Sequence, residues 1–113
     1  MAVTIYQHPR CGKSRDTLAL LRERGVGPRI VEYLKEPPSA AELKRILGML
    51  GLKAAAILRK KEAADAGIDA ASLSEDALIK AMVANPIVIE RPIVVSGSKA
   101  ALARPPEAAL KIL

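Results

Sequence analysis

Strand-type apolar runs come in two pairs, one near each end of the chain, and the stretch between them has helical spacing. This arrangement constrains the fold more than any single motif. Val3 to Tyr6 reads as a short opening strand. A polar loop, Gln7-His8-Pro9-Arg10-Cys11-Gly12-Lys13-Ser14, follows it. A helical pattern then runs from about Ser14 to Arg24, with Leu18 and Leu21 on one face and Leu20 beside them. Gly25 and Gly27 are expected to end it in left-handed conformations. Arg29-Ile30-Val31-Glu32-Tyr33 reads as the second strand. At the other end, Arg91-Pro92-Ile93-Val94-Val95 reads as a buried strand preceded by a proline, and Ser96-Gly97-Ser98 as a tight turn. Lys99 to Arg104 returns as the partner of a hairpin. A last short helix is expected from about Glu107 to Leu113, after Pro105-Pro106.

Between the pairs, Pro37-Pro38 breaks the chain and Ser39-Ala40-Ala41-Glu42 forms a capping box. Leu43, Ile46, Leu47 and Leu50 follow at helical spacing, and Gly51 stops them. Lys53 to Arg59 reads as a short Ala-rich helix, while Lys60 to Ala71 is less periodic. Ser72-Leu73-Ser74-Glu75 is a second capping signal, before a stripe of Leu78, Ile79, Met82 and Val83 that Asn85-Pro86 closes. The order is therefore βαβ, helices, ββα. The first unit requires parallel strands and a crossover, and the last an antiparallel hairpin. An α/β fold satisfies both: a thioredoxin-like mixed four-stranded sheet with helices on its faces. The helical insert, at about 39–86, is too long to be a loop and is expected to pack as a subdomain of one domain spanning 1–113. A chain of 113 residues leaves no room for a second domain.

Cys11 is the only cysteine and His8 the only histidine, so one chain holds neither a disulfide nor the usual four-ligand zinc site. No metal and no bound cofactor are expected. A lone thiol points to a reducing compartment. The start, Met1-Ala2-Val3-Thr4-Ile5-Tyr6, does not read as a signal peptide. The apolar runs fall far short of the ~20 residues that span a bilayer. A cytoplasmic protein without membrane attachment, acting as a monomer, is expected. The net charge of +6 raises the question of nucleic acid. The basic residues are scattered, however, with one short cluster at Arg59-Lys60-Lys61, and Tyr6 and Tyr33 are the only aromatics. Two tyrosines do not make a set of stacking platforms, and no nucleic-acid partner is expected. The charge reads as a solvated surface, some of whose arginines surround a small anion.

Cys11 lies after a strand and just before a helix, where free N–H groups and the helix dipole favour an anion. A thiolate is such an anion, so the thiol pKa is expected to fall. Lys13, Arg15 and Arg10 add positive charge nearby in sequence. The neighbours Pro9, Arg10, Gly12 and Lys13 do not form the apolar pocket of an inert cysteine. Three lookalike motifs fail. A phosphate-binding loop ending in Gly12-Lys13-Ser14 requires a glycine where Gln7 stands. A cysteine phosphatase loop requires an arginine where Thr17 stands, and a redox dithiol requires a cysteine where Ser14 stands. What remains is a monothiol, whose product a second molecule must resolve. His8 reads either as a thiolate-stabilising or proton-shuttling group or as a plain polar loop residue. Arg59, Arg91 and Arg104 are placed suggestively. In a thioredoxin-like fold the residue before the third strand's proline lies beside the cysteine loop, which makes Arg91 a contact candidate and Arg91–Pro92 a place for a cis peptide.

Ile5-Tyr6 followed by His8-Pro9-Arg10-Cys11-Gly12-Lys13-Ser14-Arg15-Asp16-Thr17-Leu18 resembles the active-site loop of the glutaredoxin-dependent arsenate reductases. The resemblance continues through Tyr33-Leu34, Pro37-Pro38-Ser39, Leu58-Arg59-Lys60, Asn85-Pro86-Ile87, Arg91-Pro92-Ile93-Val94-Val95 and Arg104-Pro105, in order along the whole chain. It implies Cys11 as the nucleophile on arsenate and Arg59, Arg91 and Arg104 as oxyanion-binding arginines. It further implies glutathione as co-substrate and glutaredoxin as the partner that restores the thiol. Backbone N–H groups from Gly12, Lys13, Ser14 and Arg15 would complete the cradle. Family members often carry a histidine four residues before the cysteine, where this chain has Gln7. Two other readings stay open at this point. One is a monothiol glutaredoxin-like thiol-transferase, and the other a non-catalytic redox or transcription regulator of the same fold.

Overall fold

The computed structural model describes residues 2–113. The chain divides into two compact units, one formed by 2–36 with 91–113 and the other by Pro37–Glu90.

The first unit contains the sheet. Its strands are β1 (Val3–Gln7), β2 (Arg29–Glu32), β3 (Ile93–Ser96) and β4 (Lys99–Leu102), in the order β2-β1-β3-β4. β1 and β2 are parallel, whereas β1–β3 and β3–β4 are antiparallel. This is the mixed sheet that the element order requires. Helix α1 (Gly12–Glu23) connects the parallel pair. It begins directly after Cys11, two residues earlier than its apolar spacing suggests, because the buried stripe starts with Ser14 and Thr17. The Thr17 hydroxyl donates to the Lys13 carbonyl (2.8 Å), which satisfies it inside the packed face. Gly25 ends the helix at φ +76, while Gly27 is not left-handed, a correction to the expected pair of left-handed glycines. The Val26 N–H already closes the turn onto the Leu21 carbonyl (2.9 Å), so one left-handed residue is enough.

Val3, Ile5, Leu21, Val94, Ala103 and Ala109 form the core of this unit, with Leu18, Val26 and Ile112 packed against it. One face of the sheet is thus covered by α1 and the C-terminal segment. That segment is a 3-10 helix, Pro106–Ile112.

The second unit is helical: α2 (Ala40–Leu50), α3 (Lys60–Asp65) and α4 (Glu75–Ala84), with 3-10 turns at Ala54–Ile57, Ala70–Ser72 and Pro86–Val88. The Ser39 hydroxyl accepts from the Glu42 N–H (3.1 Å), as the capping box predicts, and Gly51 stops α2 at φ +69. The second cap is Ser74, whose hydroxyl accepts from the Ala77 N–H (3.1 Å). Ser72, the serine that a Ser-x-x-Glu box would use, ends the preceding 3-10 turn instead. Leu43, Ile46 and Leu47 of α2 and Leu78, Ile79 and Met82 of α4 are buried. Among the described residues no helix is long and apolar enough to cross a membrane.

Candidate active site

The parallel strands β1 and β2 both end at one edge of the sheet. The register pairs Gln7 with Glu32, so His8 and Tyr33 come next at that edge. β3 runs the other way and starts there, with Ile93 opposite Tyr6, so Arg91 and Pro92 precede it at the same edge. The topology therefore gathers the end of one strand, the beginning of another and the start of α1 around the Cys11 loop. The Arg91–Pro92 and Arg104–Pro105 peptides are cis.

Cys11 is the N-cap of α1 and half-buried. Its N–H donates to the His8 carbonyl (2.9 Å), which folds the loop back on itself. Burial by itself would raise the thiol pKa. It is outweighed by the Ser14 N–H and hydroxyl, the Arg91 guanidinium and the Lys13 N–H, which favour the thiolate and hold the thiol below its ordinary value. Ser14 is fully buried, and its hydroxyl accepts from the His8 N–H (3.3 Å). That bond leaves the serine O–H to donate toward sulfur. Lys13 and Arg15 are exposed on the first turn of the helix, as is Gly12.

Arg91 is only 7% exposed. Its Nη1 donates to the Tyr33 hydroxyl (3.4 Å), and its carbonyl accepts from Arg104 Nη1 (2.9 Å). Arg104 follows β4, so a single main-chain carbonyl ties the third arginine to the second. Beside the loop, His8, Pro9 and Arg10 face Glu32, Leu34 and Lys35 across a cleft of about 280 Å³.

Arg59 belongs to the helical unit and is held differently. Leu58 and Ile89 form an antiparallel bridge, flanked by bonds from Arg59 N–H to the Val88 carbonyl (2.7 Å) and from Glu90 N–H to the Ile57 carbonyl (2.8 Å). Arg59 Nε donates to Glu62 (2.6 Å) and Nη1 to Glu90 (2.7 Å). Burial works against its charge, but these two carboxylates raise its pKa, so the guanidinium stays charged.

Within the sheet unit, the residues brought together are Cys11, Gly12, Lys13, Ser14, Arg15, His8, Arg91, Pro92 and Arg104. Three contributors were not singled out in the sequence. Tyr33 had a signal, being one of two tyrosines and lying at the end of a strand parallel to β1. Glu62 had a weaker one, its i,i+3 spacing from Arg59. Glu90 had none before the Leu58–Ile89 bridge was known. Gln7 is buried, and its Oε1 has no hydrogen-bond partner among the described residues. Among the described residues no group of three or more His, Cys, Asp or Glu side chains is placed to hold a metal ion.

Residues 6–112 match the ArsC family. The chain is 51% identical to the uncharacterized protein YfgD of Escherichia coli (strain K12), over 98% of this chain and 96% of that one. It is 45% identical to the arsenate reductase of Rhizobium meliloti (strain 1021), over 100% of this chain and 82% of the relative. Among solved structures, the arsenate reductase from Vibrio cholerae superposes with a TM-score of 0.91 at 47% identity, covering 100% of this chain and 98% of that one.

Proposed function

Because the chain belongs to the ArsC family, we propose that it is an oxidoreductase that reduces arsenate to arsenite with Cys11 as nucleophile. The observation that carries this reading is a thiolate-favouring cysteine at the start of α1 with a buried arginine beside it. Attack of one anion on another is repelled unless fixed positive charge and N–H donors absorb the repulsion. Arg91 and Arg104 supply that charge from the sheet unit. The N–H groups from Gly12 to Arg15 offer the anion-binding start of a helix. The family resemblance assigns Arg59 to the same oxyanion, and Glu62 and Glu90 already fix its orientation. His8 orders the loop through its main chain, which donates to Ser14 and accepts from Cys11.

In the first step the Cys11 sulfur bonds to arsenic and one arsenate oxygen leaves as water. A glutathione thiol then attacks the Cys11 sulfur. The arsenic keeps the electron pair and departs as arsenite, and Cys11 is left in a mixed disulfide. Glutaredoxin, or a second glutathione, restores the thiol. Two thiols are oxidised to one disulfide for each arsenic reduced. An external reductant follows from the cysteine count: with one thiol, no intramolecular disulfide can form. We place the reaction in the cytoplasm, with the protein acting as a monomer.

The test is arsenate-dependent NADPH oxidation coupled through glutathione, glutaredoxin and glutathione reductase. Turnover by the wild type and none by Cys11→Ser is expected. Full arsenate reduction by Cys11→Ser ends the proposal. Activity only on glutathione mixed disulfides would make the protein a thiol-transferase, and activity with thioredoxin alone would replace the partner.

A further inference from the structure

Tyr33 is buried, 2% exposed, although it carries a hydroxyl and lies just past the end of β2. Its oxygen accepts from Arg91 Nη1 at 3.4 Å, across 58 positions of sequence. Both residues occupy the sheet edge that carries the Cys11 loop. The titratable and charged groups flanking Cys11 along the chain are His8, Arg10, Lys13 and Arg15, and Arg91 comes from the start of β3. Of these, Arg91 is the only one that is buried. A buried guanidinium on a long side chain keeps one orientation only if its donors are engaged on more than one side.

We propose that Tyr33 is a positioning residue, whose hydroxyl holds the Arg91 guanidinium in the orientation that faces the Cys11 sulfur. The tyrosine itself does not touch the reacting atoms. It acts through Arg91, by denying the guanidinium other rotamers. The ring is packed in the interior, so the oxygen is a fixed anchor. The proposal rests on Cys11 being the reactive thiol and goes beyond that reading by naming what aims its cation.

The test uses the full-length protein and the fact that Cys11 is its only thiol. Iodoacetamide alkylation is followed against pH in wild type, Tyr33→Phe, Arg91→Ala and the double variant. Tyr33→Phe keeps the ring and removes one oxygen. Its alkylation midpoint is expected to rise, with the rate at neutral pH falling about three- to tenfold, the range that one hydrogen bond commands. In the Arg91→Ala background the same change is expected to do nothing, since its intermediary is gone. An unshifted profile in Tyr33→Phe overturns the proposal. So does an equal shift with and without Arg91. Should Tyr33→Phe fail to fold, 3-fluorotyrosine incorporated in a Tyr6→Phe background weakens the same oxygen as an acceptor with little change of shape. A smaller shift in the same direction is then expected, and its absence is again fatal. Alkylation requires no arsenate. A wild type without arsenate turnover would therefore remove the proposed activity and leave this result intact.

Discussion

Arg59 in the helical unit and Arg91 in the sheet unit are both held in fixed orientations, by opposite means. Arg59 donates to two carboxylates at 2.6 and 2.7 Å. One cation with two anions leaves that cluster at a net charge of −1. Arg91 donates to a neutral hydroxyl, is more deeply buried and favours the Cys11 thiolate. Orientation is secured in both places, and the Arg91 guanidinium is among the groups that favour the thiolate. Charge interactions also weaken with exposure to water, which favours the more buried of the two. The two arginines are therefore not interchangeable: Arg91 favours the Cys11 thiolate, whereas the charge of Arg59 is already offset by its two carboxylates.

Arg91→Ala breaks this contrast most directly. Loss of a charge-assisted contact of about 1.5–3 kcal/mol predicts a fall of roughly one to two orders of magnitude in kcat/KM for arsenate. The Cys11 alkylation midpoint should rise in parallel. Arg59→Ala is expected to raise KM for arsenate while leaving that midpoint in place. It also leaves Glu62 and Glu90 without their shared cation, so a loss of about 1–3 kcal/mol in urea unfolding is expected. A shift of the Cys11 profile by Arg59→Ala as large as that by Arg91→Ala would erase the distinction.

The same contrast explains what was legible in the sequence. The βαβ and ββα units, the Ser39 cap and the exposed helix start at Cys11 are written in local patterns, namely apolar period, capping residues and prolines. Arg91 was legible because its place follows from that topology. That Tyr33 is its partner was not, because the pairing crosses 58 positions and depends on strand register. Likewise Glu90 reaches Arg59 only through the Leu58–Ile89 bridge, a long-range pairing with no local signature. The exact start of α1, two residues before Ser14, was missed for a third reason. Ser14 and Thr17 are polar, and apolar spacing is blind to polar residues that are buried with satisfied hydroxyls.

The thiolate side of the contrast has a signature in stability. The folded protein holds Cys11 below the ordinary thiol value of 9.0, so the unfolded chain binds more protons between the two values. Stability contributed by Cys11 is therefore fully present above the unfolded value and is lost as pH falls through the folded one. Urea unfolding of wild type against Cys11→Ser across pH is expected to show the difference growing with pH and levelling near 9.0. In an Arg91→Ala background the growth should shrink, and in an Arg59→Ala background it should persist. A pH-independent difference would mean that the folded thiol is unperturbed.

The smallest expected effect concerns Gln7, which tests whether Arg91 has an anchor other than Tyr33. Gln7 lies at the same sheet edge, one residue beyond the Tyr6–Ile93 pair, and its buried Oε1 has no partner among the described residues. A buried acceptor left unmade costs about 1–3 kcal/mol, whereas replacing it with an apolar group of the same shape is close to neutral or stabilising. Gln7→Met is nearly isosteric and is expected to leave Tm unchanged or raised, by up to about 1 kcal/mol in stability. The Cys11 alkylation profile should not move. If the profile shifted upward as in Arg91→Ala, the amide oxygen would be a working support of the arginine. The orientation now assigned to Tyr33 would then be shared between two groups, one from β1 and one from the end of β2.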